Sequence, residues 1–316
     1  MTSILKAFTP TRTAAPLWLR LGIGSIGVAT SLLVGMSPAP AATINYTADS
    51  FTDGVTGPVI GGGAFELYGI GYVQQGNDLF VGLNTNLPIG GFADTSVVGG
   101  SIAWGDMFFD FSDPALNLTF AEALAAGSIY GVRFDTANDS SVALGVYQVA
   151  ATKSVVQTNN GFESFQSYAD RVNGVNGNPS LGAIPLDGSY LSHTDLPQNE
   201  IAAGTFLGDV TFIDDFSTVG FAADFGFGAA LGQTGSLTYG FRVDSSLFPA
   251  GDFVAHVLAE CINDGLGFRG ELMAIAPRPE TEEPKASATV PEPGSLMGMA
   301  IALGTFTLTQ RRRQFP

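Results

Sequence analysis

A period-two pattern runs through the stretch Gly204-Thr205-Phe206-Leu207-Gly208-Asp209-Val210-Thr211-Phe212-Ile213. Large or small apolar residues occupy every second position, namely Phe206, Gly208, Val210 and Phe212. Leu207 and Asp209 occupy the positions between them. Because successive side chains point to opposite faces of a β-strand, the pattern predicts a strand that buries its aromatic face and takes its register from that burial.

Similar short runs, rich in β-branched and aromatic residues, recur along the chain and are separated by turn residues. They cover residues 43–48, 64–73, 78–83, 101–111, 128–134, 142–150, 204–213, 219–227, 236–243, 252–259 and 267–274. Many short strands at regular spacing are typical of antiparallel two-sheet folds. The predicted fold is therefore mainly β, an antiparallel β-sandwich of the jelly-roll type.

Two short helices are predicted to interrupt the strands. Thr119 and Glu122 have the spacing of a capping box, and Gly127 can end the helix they begin. For the second helix, Asn160 can cap the start, and the helix is predicted to stop before Gly174. Its apolar stripe consists of Phe162, Phe165, Ala169 and Val172. The segment 173–199, rich in Gly, Pro, Asn and Ser, is predicted to be a surface loop and the rim of any ligand site.

The amino end has the three parts of a secretory signal. Lys6, Arg12 and Arg20 precede an uncharged stretch at 21–36, and Ala39 and Ala41 then occupy the small-residue positions of a cleavage site. We predict a signal helix within residues 1–41 and cleavage after Ala41. A retained amino-terminal anchor is the alternative, and sequencing of the exported protein's amino terminus separates the two.

The carboxyl end, residues 290–316, has three parts in a fixed order. Pro291 and Pro293 stiffen the tetrapeptide formed with Val290 and Glu292. A charge-free apolar stretch at 296–308 follows, short for a membrane-spanning helix but sufficient for a weak anchor. Three arginines then act as a stop that stays on the cytoplasmic side, which places the rest of the chain outside. They are Arg311, Arg312 and Arg313.

Residues 290–313 resemble a PEP-CTERM sorting signal, the tail of proteins processed by exosortase, a membrane-embedded cysteine transpeptidase of Gram-negative bacteria. The resemblance implies that Val290, Pro291, Glu292 and Pro293 are the recognition motif. It also implies that the tail is removed and the body released or attached to the cell surface. The stretches 80–84, 131–135 and 256–265 are similar to a cyanobacterial group of exosortase-dependent surface proteins, a resemblance that implies no functional residue.

Composition limits the classes of protein and partner. Between the end signals, residues 42–276 are predicted to form one domain and residues 277–289, rich in Pro and Glu, a linker. The net charge is −16, and six of the 13 basic residues lie in the end signals. The charge therefore predicts that nucleic acid and anionic lipid are not partners, because they require a basic surface. Cys261 is the only cysteine, so stability depends on packing without an intrachain disulfide.

No spacing in the chain is typical of an enzyme. Phosphate-binding loops, zinc-binding histidine pairs and nucleophile elbows are absent from the sequence, and His193 and His256 are its only histidines. Asp135, Asn138 and Asp139 could supply oxygen ligands to calcium in a hairpin turn. The alternative is turn chemistry, in which these side chains bond their own backbone. We predict a non-enzymatic protein without a cofactor, with calcium left open.

Three functions remain to be distinguished. The first is an exported cell-surface or extracellular-matrix protein that is sorted by exosortase after passage through the Sec translocon, with exopolysaccharide as a candidate partner. The second is a secreted carbohydrate-binding module in which Trp104, with Tyr190 or Tyr168, stacks on sugar rings. The sequence favours a core position for Trp104 over this role, because Ala103 and Gly105 flank it inside an apolar strand. The third is a secreted hydrolase that uses separated acids such as Asp106 and Asp110.

Overall fold

The computed structural model describes residues 43–275. The predicted signal peptide, the linker and the sorting signal lie outside the described residues, so these assignments stay predictions. Within 43–275 the chain is mainly β, with antiparallel sheets and three short α-helices, as the strand pattern predicts. No helix in this range is long and apolar enough to cross a membrane.

Fifteen strands and three α-helices make up this part of the chain. The strands are β1 Asn45–Ala48, β2 Val55–Thr56, β3 Val59–Ile60, β4 Leu67–Gln75, β5 Asp78–Thr85, β6 Phe92–Ala93, β7 Ser101–Ile102, β8 Met107–Asp110, β9 Ile129–Arg133, β10 Gly145–Lys153, β11 Glu200–Gly208, β12 Thr211–Ile213, β13 Leu237–Asp244, β14 Gly251–Leu258 and β15 Gly265–Leu272. The helices are α1 Phe120–Ala126, α2 Phe165–Asn173 and α3 Phe227–Ala230.

Two large sheets share one hydrophobic core. The five-stranded sheet has the order β1-β4-β5-β13-β12, and the six-stranded sheet has the order β11-β10-β9-β8-β14-β15. Leu67 and Phe241 from the first sheet lie in the same buried cluster as Phe109, Val257 and Phe268 from the second. Burial of these apolar side chains supplies the main stabilisation of the two-sheet arrangement.

The other face of the six-stranded sheet is covered by helices and by the segment 174–199. Phe108 of β8 and Val149 of β10 pack in a second cluster with Phe120 of α1 and Phe165 of α2. Leu181, Ile184, Tyr190 and Leu191 of the segment 174–199 are buried in the same cluster. The segment 174–199, predicted to be a surface loop, therefore covers part of this face, and we call it the lid.

The pattern at 204–213 belongs to two strands, one in each sheet. β11 and β12 are edge strands of different sheets, and the chain passes between them at Asp209 and Val210. Phe206 is 51% exposed and Phe212 is 39% exposed. The prediction that one aromatic face is buried here is therefore wrong, because an edge strand leaves part of its surface to solvent and each ring sits on a separate edge.

The capping box predicted for the first helix is confirmed. Thr119 accepts a hydrogen bond from the backbone N–H of Glu122, and Glu122 accepts one from the backbone N–H of Thr119. The second helix begins four residues later than predicted, because Ser164 and not Asn160 caps it. Asn160 instead has a left-handed backbone, with φ of 54°.

The predicted strand at 219–227 is wrong. This segment contains the end of a 3-10 turn and the start of α3, and its backbone is left-handed at Phe225 and Gly226. Phe225 stacks on Phe216 at a ring-centroid distance of 4.1 Å. Its ring also lies over Gly82, where an added Cβ would come within 2.6 Å of the phenyl carbon Cδ1. Aromatic packing onto the sheet therefore replaces strand pairing here.

His256 of β14 lies among aromatic rings beneath the lid. Its ring centroid is 5.5 Å from that of Phe108, 5.0 Å from that of Phe120 and 5.9 Å from that of Tyr190. Neither ring nitrogen has a hydrogen-bond partner within residues 43–275. Burial lowers the pKa of His256 to about 3, so the imidazole is neutral in the folded protein.

Acidification should therefore destabilise the protein through His256. Because the unfolded histidine has a pKa near 6.5, the unfolded state binds more protons between that pH and about pH 3, and stability is lost as the pH falls. The loss from this group at pH 5 is about 2 kcal/mol. Urea unfolding at pH 7 and pH 5 should show a smaller pH effect in His256→Gln than in wild type and His193→Gln. Equal pH effects in all three proteins would contradict the assignment.

Candidate metal centre

Four buried carboxylates meet where the ends of strands come together. Asp49 directly follows β1, Asp53 lies in the turn before β2, Glu66 directly precedes β4, and Asp264 directly precedes β15. Their exposed fractions are 7%, 0%, 0% and 1%, respectively. The amino-terminal segment of the domain and its last hairpin thus supply acids to a single interior site.

Three of these side chains are close enough to bind one ion. Asp49, Asp53 and Asp264 each offer a carboxylate oxygen, and these oxygens all lie within 4.8 Å of one another. Ligands at about 2.4 Å from a calcium ion can be separated by at most about 4.8 Å. In the range 43–275 this is the only group of three or more His, Cys, Asp or Glu side chains with such convergence.

Hydrogen bonds hold the site in place while leaving oxygens free. Asp264 accepts from the backbone N–H of Leu67 at Oδ2 and from that of Gly265 at Oδ1, both at 2.7 Å. Asp53 Oδ2 accepts from the backbone N–H of Ser180 at 2.8 Å. Asp53 Oδ1 and both oxygens of Asp49 are buried and accept no hydrogen bond of normal geometry from the described residues. The loops thus orient two of the acids and leave at least three oxygens for another partner.

Two further oxygens border the group. Glu66 Oε2 accepts from the backbone N–H groups of Gly54 at 3.0 Å and Gly62 at 2.9 Å, which fixes this side chain beside Asp53. Its Oε1 and the hydroxyl of Tyr168 are buried without a partner among residues 43–275. Because buried polar atoms are normally satisfied, these neighbouring oxygens suit a ligand that all of them can contact, such as a cation.

The acids of this site cannot all stay ionised in the interior without a positive partner. Burial, reinforced at Asp53 by the charges of Asp49 and Glu66, raises the pKa of Asp49 to about 7 and that of Asp53 to about 9. Burial also raises the pKa of Glu66, to about 7, and it raises the pKa of Asp264. The one salt bridge among the described residues, Arg242 with Asp78, lies elsewhere on the surface. Protonation or a bound cation must therefore neutralise these acids.

The donor set selects a hard cation. All the converging atoms are oxygens, the ligands preferred by calcium and magnesium, and no histidine or cysteine of residues 43–275 belongs to the group. Calcium accepts six to eight oxygens in irregular geometry, whereas magnesium demands a near-ideal octahedron. Carboxylates on two separate loops, the β1–β2 connection with Asp49 and Asp53 and the β14–β15 hairpin with Asp264, suit calcium better.

The calcium ligands suggested by the sequence lie at a different place. Asp135 accepts from the backbone N–H of Ala137 at Oδ1 and from that of Gly90 at Oδ2. Asn138 donates to Asp106, and Asp139 accepts from the side chain of Asn159. Asp135 thus makes the turn bonds that the sequence also allowed, and calcium binding by these three residues stays a prediction.

The aromatic and acidic candidates separate into core and cleft residues. Trp104 is fully buried and donates to the hydroxyl of Tyr239 at 2.7 Å, so the core position favoured by the sequence is confirmed and the exposed platform for sugars is wrong. Tyr168 is also buried, beside the acidic group. Asp106 accepts hydrogen bonds from Asn138, Ser140 and the backbone of Ile201 in the interior. Of these residues, only Tyr190 and Asp110 line a cleft.

The fold and the site define a class: a mainly β domain with a candidate centre for one divalent cation. None of the protein-family models, curated proteins or solved structures compared with this chain matches it.

Proposed function

We propose that this protein is a non-enzymatic, exported surface protein whose domain is a jelly-roll-like β-sandwich stabilised by one calcium ion. The observation that carries the proposal is the convergence of Asp49, Asp53 and Asp264, with both oxygens of Asp49 unpaired among the described residues. Calcium would join the first strand of the domain to its last hairpin. A structural role suits the site because its ligands are enclosed and no cavity opens a path for a substrate to them among the pockets described.

The placement of the reactive side chains supports a non-enzymatic role. Cys261 is completely buried, and burial raises the pKa of its thiol, which keeps it protonated and unreactive. His256 is buried and neutral among aromatic rings. Neither residue is placed to act as a nucleophile or a base at the surface.

The predicted signals at the two chain ends determine where the protein is sent. The predicted signal peptide at 1–41 directs the chain to the Sec translocon, and the tail at 290–316 holds it in the inner membrane for exosortase. The body then reaches the cell surface or the extracellular matrix. High extracellular calcium would load the site after export, because the domain would fold where the ion is available.

Native mass spectrometry of protein from envelope and medium fractions tests the whole proposal. The mature chain should begin at Ala42, lack the tail and retain one calcium ion. Deletion of Val290–Pro293 should leave the tail uncleaved and change the distribution between the fractions. Asp49→Asn should remove the calcium without altering the termini, whereas Asp135→Asn should retain it as a matched control.

Two outcomes would reject the proposal separately. An untrimmed chain in the cytosol would exclude export and sorting, whatever its metal content. A correctly trimmed chain without calcium in calcium-containing buffer would exclude the structural ion and leave the sorting intact.

A further inference from the structure

A cleft of about 390 Å³ with mixed polar and apolar walls lies on the six-stranded sheet, away from Asp49, Asp53, Glu66 and Asp264. The strand register places Asp110 of β8 opposite Val254 of β14, and Val254 opposite Arg269 of β15. Residues opposite one another share a face of the sheet. Asp110, Val254 and Arg269 therefore form a row across the floor of the cleft, and β8 and β15 lie roughly 10 Å apart.

Several polar atoms in this cleft are free to bind a ligand. Asp110 Oδ1 accepts from the backbone N–H of Ser112 at 2.7 Å and from the hydroxyl of Ser128 at 3.2 Å, which orients its Oδ2. The hydroxyl of Tyr190 is buried at the wall and has no hydrogen-bond partner among residues 43–275. Arg269 is exposed and forms no salt bridge with any described residue.

The remaining walls are partly apolar. Pro114 and Leu118 of the loop between β8 and α1 face the cleft, as does Val254 from the floor. Asp252, an exposed residue of β14, adds a second carboxylate near the rim. The cleft thus combines hydrogen-bond acceptors, donors and a small apolar surface within one ligand-sized volume.

The charges restrict the class of ligand. Carboxylates of Asp110, Asp113 and Asp252 outnumber the single guanidinium of Arg269, which disfavours phosphate, sulfate and uronate groups. The guanidinium in turn disfavours a purely cationic amine. A neutral molecule with many hydroxyls satisfies both kinds of group, because each hydroxyl can donate to a carboxylate and accept from arginine or tyrosine.

We propose that this cleft binds a neutral sugar residue. Its hydroxyls donate to Asp110 and Asp252 and accept from Arg269 and Tyr190, while its C–H surface lies on Val254 and Leu118. The cleft shares no residue with the acidic group, so this inference goes beyond the proposed calcium centre and does not depend on it.

The test uses the processed, secreted protein on immobilised neutral glycans built from glucose, galactose, mannose or xylose, with uronate-containing glycans as an acidic set. Binding to at least one neutral glycan is expected. Arg269→Ala, Asp252→Asn and Tyr190→Phe should each weaken it at least tenfold, as expected when a buried or charged hydrogen-bonding partner of a sugar is removed. Arg242→Ala and Asp209→Asn, on other parts of the surface, should bind as wild type.

Each opposite result overturns the inference. Absence of binding to every neutral glycan, binding to the acidic set alone, or wild-type binding by all three cleft variants would reject a neutral-sugar site. Arg269 and Asp252 are exposed, so their substitution should leave folding intact, and circular dichroism checks this. An Asp49→Asn protein that lacks calcium yet binds glycan normally would separate this site from the metal centre.

Discussion

Saturating calcium should raise the melting temperature of this protein by roughly 5–10 °C. An ion at a hundred times its Kd adds about 2.7 kcal/mol to the free energy of unfolding. In a domain of this size, each kcal/mol raises the melting temperature by about 2–4 °C. The physical reason is that a cation replaces protonation as the means of neutralising Asp49, Asp53 and Asp264 in the interior. Differential scanning calorimetry in excess EGTA and in millimolar calcium measures the shift. Magnesium at the same concentration should give a smaller one.

Substitution of the ligands distinguishes this site from non-specific binding to an acidic surface. Asp49→Asn should abolish the shift, while Asp135→Asn should keep it. In EGTA, Asp49→Asn should melt no lower than wild type, because removal of one acid reduces repulsion within the group. A full calcium shift in Asp49→Asn would refute the assignment of the metal centre.

Trp104→Ala should reduce the free energy of unfolding by about 3–5 kcal/mol, the range for truncation of a large aromatic side chain in a core. Trp104 is fully buried between the sheets, and its Nε1 donates to the hydroxyl of Tyr239 at 2.7 Å. That hydroxyl donates in turn to the backbone oxygen of Leu87 at 2.6 Å. The truncation therefore leaves both a cavity and a broken hydrogen-bond chain.

Guanidinium unfolding followed by circular dichroism is the measurement, because no other tryptophan lies within 43–275 to report by fluorescence. Phe206→Ala is the matched control, since this ring is 51% exposed and its loss should cost less than about 1 kcal/mol. A similarly small cost for Trp104→Ala would contradict a core position and restore the platform for sugars.

Local signals predicted several elements correctly. The capping box of Thr119 and Glu122 and the stop at Gly127 involve neighbours in sequence, so α1 could be placed from sequence alone. The start of α2 could not, because Asn160 and Ser164 are both competent caps. The choice depends on Gly161, which packs so tightly against the backbone of Cys261 that residues 160–162 stay outside the helix.

The three acids of the candidate metal centre do not have the sequence spacing of a known metal-binding motif. Asp49 and Asp53 lie at the start of the domain and Asp264 lies near its end, and only the positions of β1 and β15 in their sheets bring them together. The sequence indicated Asp135, Asn138 and Asp139 as possible calcium ligands because they are neighbours in one turn. A turn rich in Asp and Asn looks the same in sequence whether it binds an ion or its own backbone.

By itself, the sequence determined that the domain is mainly β and that a capped helix follows Thr119, and its negative charge predicts that nucleic acid is not a partner. These properties follow from composition, from alternation and from contacts between near neighbours. Only the tertiary structure decided that Trp104 bonds to Tyr239, that Phe206 and Phe212 are on edges and that Asp49 and Asp53 converge with the distant Asp264. Sheet order and register decide which distant side chains meet, and they arise from the packing of the whole domain.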